Sequence, residues 1–433
     1  MDKSQKKHLF SVIFLLILSI IFSLNSFAQQ ENGFYYQNAT YKENIKTVQL
    51  FSEGFEQSFP IYELGSGANL LLKFDDLSGE LSNYYYTILH CDANWNESYV
   101  LQNEYIDGFT ENPLDDYAMS FNTTMTYVNY QLRIPNEQVG LKYSGNYILI
   151  VYEDQDMEKL VLTRRFHVLE PRVNVGGMVK KATFDPFKGD NQEVDFTIYH
   201  PRLRIETPGN EIKVVVMKNR RWDTAIKDLK PLFIKEGELV YDYDKENVFK
   251  GGNEYRYFDI RTTRYNGENV FSTTFHRPYF HATLMKDEIR SNKKYFGYRE
   301  MNGNFVVESQ DRVDDYDTEC DYIFFFFTLE MEAQLVGGSV NVFGALTDWN
   351  ANKSNEMTWN YETAAYELTL LLKQGYYNYN YVYVPDGSKQ AEDDVLEGTH
   401  VETENEYQIL VYYKGISGRY DQLVGYQVIE YDR

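Results

Sequence analysis

The sequence predicts an all-β protein: three consecutive immunoglobulin-like β-sandwich domains, packed together behind a cleaved signal peptide. Three observations predict it. Period-two alternation of apolar and polar residues runs through most of the chain after residue 30, and helical periodicity is hard to find there. Short strand-like runs are separated by Gly, Asn, Asp and Pro, the punctuation of sandwiches. Aromatics make up 16% of the 433 residues, with 39 tyrosines. Tyrosine joins a large apolar body to a polar tip, which suits half-buried strands and contact surfaces.

The first residues stand outside this fold. Lys3, Lys6 and Lys7 precede an apolar run that begins at Leu9, and Ser26-Phe27-Ala28 set small residues where a signal peptidase cuts. Residues 1–28 therefore read as a signal peptide. A retained membrane anchor is the competing reading, but the run is short for a spanning helix. No cysteine follows the run, so lipid attachment at a new N-terminus is excluded. The mature chain is expected to be exported and soluble, without direct membrane insertion.

The first domain is placed at 33–169. It holds LLLKFDDL, NYYYTILHCDANWN, YQLRIPN and SGNYILIVYED, and closes on RRFHVLE. A turn ahead of a tyrosine-bearing strand, as in Ser144-Gly145-Asn146-Tyr147, is common near the end of immunoglobulin-like sandwiches. The second domain, 170–315, carries EVDFTIYH, EIKVVVMK and EYRYFDIRTT. Its RRWDTAIKDL is the one plausible short helix or loop. The acidic QDRVDDYDTE suits a linker. The third domain, 316–433, opens on DYIFFFFTLEM. There Phe324 and Phe326 point one way, Phe325 and Phe327 the other. A strand apolar on both faces must be covered on both, so another domain is expected against it. In YELTLLLK and GYYNYNYVYV the alternation is regular. Tyr377, Tyr379, Tyr381 and Tyr383 share one face, as core or as a docking surface.

Charge excludes several functions. The chain has 42 basic and 65 acidic side chains, a net −23, and loss of the leader makes it more negative. Nucleic-acid binding requires the opposite sign, and an anionic membrane would repel the chain. Solubility or a basic partner explains the excess. Cys91 and Cys320 are the only cysteines, so there is no disulfide framework. Both read as small apolar strand residues.

Catalytic candidates are weak. His276 and His281 are five apart in a strand-like stretch and are expected on opposite faces, a poor metal pair. His90 reads as a locally hydrogen-bonded strand or turn residue. Asp242 and Asp244 begin a calcium-like alternation without the glycine or the distal glutamate it needs. No hydrolase, metalloprotease or nucleotide motif occurs. No cofactor, metal or catalytic residue is assigned.

Two resemblances add to this. VNVFGALTDWN, Met357-Thr358, YELTLLL and GYYNYNYVYVPDG resemble the family 48 glycogen- and starch-binding module. That family implies aromatic rings stacking on sugars and a lysine bonding hydroxyls. Trp349 matches the first ring, and Asn380 stands at the lysine position. After the Asp386-Gly387 turn the chain reads Ser388-Lys389-Gln390, where the second ring is due. Trp349 is thus a sugar-stacking or a packing residue, and an α-glucan binder is the alternative function.

The wider resemblance covers nearly the whole mature chain. YYYTILHCDANWNES, EYIDGF, SFNTTMTYVNYQLRIPN, SGNYILIVY and RRFHVLEP, then VFGALTDWN, EGTHVETENEYQILVYYK and GRYDQLVGY, resemble the type IX secretion system plug proteins. The resemblance implies a non-enzymatic periplasmic protein. It implies binding to the outer-membrane translocon barrel and closure of the barrel's periplasmic end, with other secretion components as further candidate partners, and it assigns no contact residue.

Overall fold

The computed structural model describes residues 36–311 and 313–431. The expected signal peptide lies outside the described residues. Strands dominate, in seven sheets, and the helices are single turns such as Gln102–Tyr105 and Tyr316–Glu319. The fold class is the expected one. RRWDTAIKDL holds no helix: it is a loop with the two-residue strand Ile226–Lys227.

Among the described residues six of the sheets form three face-to-face pairs, and the seventh is the two-stranded ribbon of Ile106–Gly108 with Val139–Leu141. In the first, Asp156–Leu169, Gly145–Glu153 and Tyr84–Cys91 pair side by side. They face Ile45–Ser52, Leu70–Asp76, Val128–Ile134 and Asp116–Met119. Leu72, Phe74, Ile88, Tyr130, Leu149 and Val151 fill the space between. Alternate residues of each strand point inward, so the period-two pattern becomes one core.

The second pair crosses the borders drawn from sequence. Asn174–Lys181, Asn191–Tyr199, Glu238–Tyr241 and Phe233–Lys235 make one sheet. The other is Ile226–Lys227, Ile212–Lys218, Glu406–Tyr413 and Gln422–Glu430. Ile212–Lys218 pairs along its length with Glu406–Tyr413, so the chain's last two strands complete the second sandwich. The third pair is strung between them. Arg256–Asp259, Phe305–Val307, Gly338–Phe343 and Gly375–Pro385 face Val270–His276, Tyr279–Leu284, Tyr322–Glu330, Ala365–Lys373 and Thr358–Asn360. The expected border at 315/316 falls inside this third sandwich, because hairpin strands and phenylalanines on both sides of it share one core.

A local feature recurs. Tyr147 donates its hydroxyl to the Tyr143 carbonyl at 2.7 Å, and Tyr377 donates to the Lys373 carbonyl at 2.6 Å. Each follows a Gly-X step, Gly145-Asn146 and Gly375-Tyr376. Both are tyrosine corners, which fix the entry of a sandwich strand. Gly145 has φ +141°, and a Cβ there would lie 2.5 Å from His90 Nε2, so the corner requires glycine.

The all-apolar strand Tyr322–Glu330 departs in part from its expectation. Phe325 and Phe327 are in the core. On the other face the first sandwich covers only the start. Tyr322 is fully buried and donates to Asp75 Oδ2 at 2.6 Å. Phe324 is half-buried and Phe326 is 37% exposed. The domain contact is there, but it runs out along the strand.

Candidate functional site

The LTDWN loop was the sharpest sequence candidate, and its backbone decides its use. Ala345–Thr347 is a single 3-10 turn, after which Asp348 and Trp349 both take φ +56°. Two successive non-glycine residues in the left-handed region cost about 1 kcal/mol or more each and persist only where contacts hold them. The contacts are with the first sandwich. Arg164, 3% exposed, reaches Asp348 with one nitrogen 2.9 and 3.0 Å from its two oxygens. Asn350 donates to the Asn38 carbonyl at 2.8 Å. Asp348 compensates the charge that Arg164 carries inside the protein.

Trp349 is turned inward by the same geometry. Its ring meets Tyr255 edge-on at 5.9 Å and Phe343 at 5.7 Å. Gly303 lies beneath, where a Cβ would come within 2.4 Å of the indole. The indole is half-buried, and these contacts give it a packing role. Asn380 is 2% exposed and accepts from Arg290 at 3.3 Å. Tyr377, Tyr379 and Tyr381 are buried, so these three belong to the core and not to a docking face. Burial pushes their hydroxyls far above the usual range. Tyr383 is half-buried and donates to the Val336 carbonyl at 2.8 Å.

The loop is one of several clasps that lock the sandwiches together. Lys373 Nζ, from the third, lies 2.7 Å from Asp75 Oδ2 of the first, with both side chains buried. The acidic stretch expected as a linker is another clasp: Asp317 accepts from Lys73 and Gln131, and just beyond the stretch Asp321 accepts from Thr124. Between first and second, Tyr412 donates to Asn146 at 2.7 Å, and Asp421 accepts from the Ala93 N–H and Lys213. Arg165 stacks 4.2 Å over Trp95 and 5.2 Å over Trp222. Between second and third, Arg221 bridges Asp223 and Asp393. Each sandwich thus holds both others.

Chemistry-bearing groups resolve into structural ones. His90 Nδ1 meets Ser98 Oγ at 2.8 Å and Nε2 meets the Ser144 carbonyl at 3.2 Å. Burial lowers its pKa to about 4. His276 and His281 correct the sequence reading. Arg277-Pro278 turns the chain into a hairpin, and the two rings stand on one face, 5.3 Å apart. The opposite-face rule holds within one strand, not across a turn. Glu193, Asp195 and Asp242 converge, but Lys180 sits 3.1, 2.5 and 4.0 Å from them and supplies the cation. Cys91 and Cys320 are buried and unpaired with each other. Between the first and third sandwiches lies a cleft of about 510 Å³, bordered by Lys46, Arg164, Asp348 and Leu371. Among the described residues no helix is long and apolar enough to cross a membrane.

The comparisons fit this architecture. Residues 45–170, the first sandwich, match the family of the type 9 secretion system plug protein 1st domain. The chain is 36% identical to a hypothetical protein from Parabacteroides merdae of known crystal structure, over 91% of this chain and 99% of that one, with a TM-score of 0.88. Dimeric latent PorU from Porphyromonas gingivalis gives 9% identity over 90% of this chain and 34% of that one, at a TM-score of 0.15. No curated protein matches. The first sandwich ties the chain to type IX secretion, through a family that is not one of enzymes. The chain belongs to the same family as the Parabacteroides merdae protein, which shares its fold over that 91% of this chain.

Proposed function

We propose that this protein is a periplasmic plug: it binds the periplasmic side of the outer-membrane translocon barrel of the type IX secretion system and seals it between rounds of secretion. The observation that carries the reading is the plug-family match over residues 45–170. The architecture supports it. A body that blocks a wide, water-filled pore must keep its shape under load, and three sandwiches clasped pairwise by buried ion pairs do so. On this reading the rigid units are 36–169, then 170–252 completed by 398–431, and 253–397 between them. The net −23 suits reversible docking on a basic mouth, because complementary charge speeds encounter and orients it.

The α-glucan alternative has no comparable support, since the ring that would carry it is packed against Tyr255 and Phe343. The test is purification of the tagged protein from detergent-solubilised outer membranes. Recovery of a very large barrel protein is the expected result, and recovery of glycans without any barrel refutes the reading.

A further inference from the structure

The outward face of the third sandwich's larger sheet begins as an interface and ends uncovered. At its covered end Tyr322 and Lys373, paired in register, meet Asp75 and Thr47 of the first sandwich. Further along, Phe324 sits opposite Leu371 and Phe326 opposite Thr369. His281 and Thr283 lie beside those two phenylalanines on the next strand, and Thr274 and His276 beyond. His281 stacks on Phe324 at 5.4 Å and on Phe326 at 6.0 Å, and Tyr279 meets Phe324 at 5.7 Å. Phe326, Thr369 and His276 are all exposed. The packing surface that holds the first sandwich therefore continues into solvent as an aromatic face.

Its charge is unlike the rest of the chain. Residues 269–286, the hairpin, contain neither Asp nor Glu but do contain Arg277, Lys286 and two histidines. Acids return at the edges, as Glu268 at one end of the hairpin and Glu330 and Glu367 further along the sheet, whereas Asp287 turns inward onto Tyr379 and Tyr381. An apolar, uncharged centre inside a charged rim is the layout of a protein docking site.

The exposed edge of the hairpin is closed to strand addition. The Asn266 side chain donates to the Phe271 carbonyl at 2.9 Å and accepts from the Thr273 N–H at 3.0 Å, taking the place of a neighbouring strand. Edge strands are commonly guarded in this way. The face, not the edge, is left to make contact.

We propose that this face, centred on Phe326 with His276, Tyr279 and His281, is the surface on which the translocon docks, and that the docking patch on the barrel is apolar at its centre and basic at its rim. The proposal rests on the plug reading and specifies its contact. Continuity with the interface already made to the first sandwich favours a folded protein surface, and the acidic rim selects a basic one.

The test uses the full chain, tagged, in the membrane co-purification. Phe326→Ser removes the central ring, and Thr369→Arg, at an exposed position opposite it, adds bulk and charge without touching the core. Leu232→Ser with Phe233→Ser, at another exposed apolar group, is the control. Thermal melts establish that each variant is folded. The expected result is at least a tenfold loss of barrel for either face variant and none for the control. Barrel recovered at the unaltered level with both face variants overturns the docking face while leaving the plug reading standing. No barrel with the unaltered chain overturns the plug reading, and the docking face with it. A dimer in light scattering that Thr369→Arg dissolves assigns the face to a second copy and also overturns the proposal.

Discussion

Lys373 and Asp75 form a buried ion pair across two sandwiches, Nζ to Oδ2 at 2.7 Å, although 298 residues separate them in the chain. The pair is well supplied. Asp75 also accepts from Asn129 and Tyr322, and Lys373 also donates to the Asp317 carbonyl and lies 4.3 Å from the Tyr127 ring centre. Such a pair adds little over a well-packed apolar contact, but breaking it leaves an uncompensated charge.

The first prediction follows. Lys373→Met strands the Asp75 carboxylate and is expected to cost about 3–5 kcal/mol, read as a lower denaturant midpoint. Asp75→Asn with Lys373→Met removes both charges and recovers a large part of that loss. A double variant as unstable as the single one would mean that the charge pair is not the cause.

A second prediction concerns the LTDWN loop. Asp348→Ala leaves buried Arg164 without its partner and is expected to destabilise by about 3 kcal/mol or more. Affinity electrophoresis in soluble starch should show no retardation of the unaltered chain. Retardation abolished by Trp349→Phe would show that the indole reaches sugar, against the packing on Tyr255 and Phe343.

How much of this was legible in the sequence depends on the range of the interaction. Period two is local, so strands such as Ala365–Lys373 and their inward Leu368, Leu370 and Leu372 were readable. The return of residues 406–430 to the second sandwich was not. Ile409 and Val411 look like any sandwich strand, and their pairing with Val216 and Val214 spans most of the second half of the chain. The hairpin at Arg277-Pro278 was missed for a different reason. The proline was a usable turn signal, and without it His276 and His281 were counted along one strand. The tyrosine corner at Tyr377 carries only a Gly-X-Tyr signal. The exposed Phe326 could not be told from buried Phe325, because alternation says which residues share a face and not what covers it.

A third prediction uses Glu300. Its carboxyl is pushed up to about 8, first by burial and then by the nearby Glu254 carboxylate, against backbone N–H donors of residues 301–303. Glu254 is itself fully buried and receives the Tyr295 hydroxyl. A folded-state value above the unfolded one means that the native chain holds the proton more tightly. Stability from this group is complete below the unfolded value and declines as pH rises towards 8, by at most about 1.4 kcal/mol per pH unit. Glu300→Gln should flatten that decline between pH 5 and 8, approximate limits of the same linkage window, and should leave the variant the more stable at the alkaline end. An unchanged slope in denaturant midpoints would refute the assignment.

The fourth prediction concerns the acid side, where the sign reverses. His90 is buried with its ring edge-on to Tyr147 and Tyr420, at 4.9 and 5.3 Å. Burial lowers its pKa to about 4, and the Ser144 carbonyl, Asp421 and Asp92 oppose the shift only in part. Nε2–H donates to Ser144 and Nδ1 accepts from Ser98, an arrangement that needs the neutral ring. The unfolded chain therefore binds the proton first. Stability from this group is present above about pH 6.5 and is lost as pH falls towards 4, by roughly 2 kcal/mol at about pH 5. His167 adds to the same limb. It is buried beside Phe59 and Trp222, and burial lowers it to about 3, with the Pro60 backbone opposing the shift only in part. His90→Gln keeps a donor for Ser144 and cannot titrate. It should remove about half of the acid-side slope in this linkage, with little change at pH 8. Equal slopes for variant and unaltered chain between pH 6.5 and 4 would mean that other groups drive acid unfolding, since the Ser98–His90–Ser144 chain of hydrogen bonds cannot survive protonation of Nδ1 unless Ser98 turns its hydroxyl to accept.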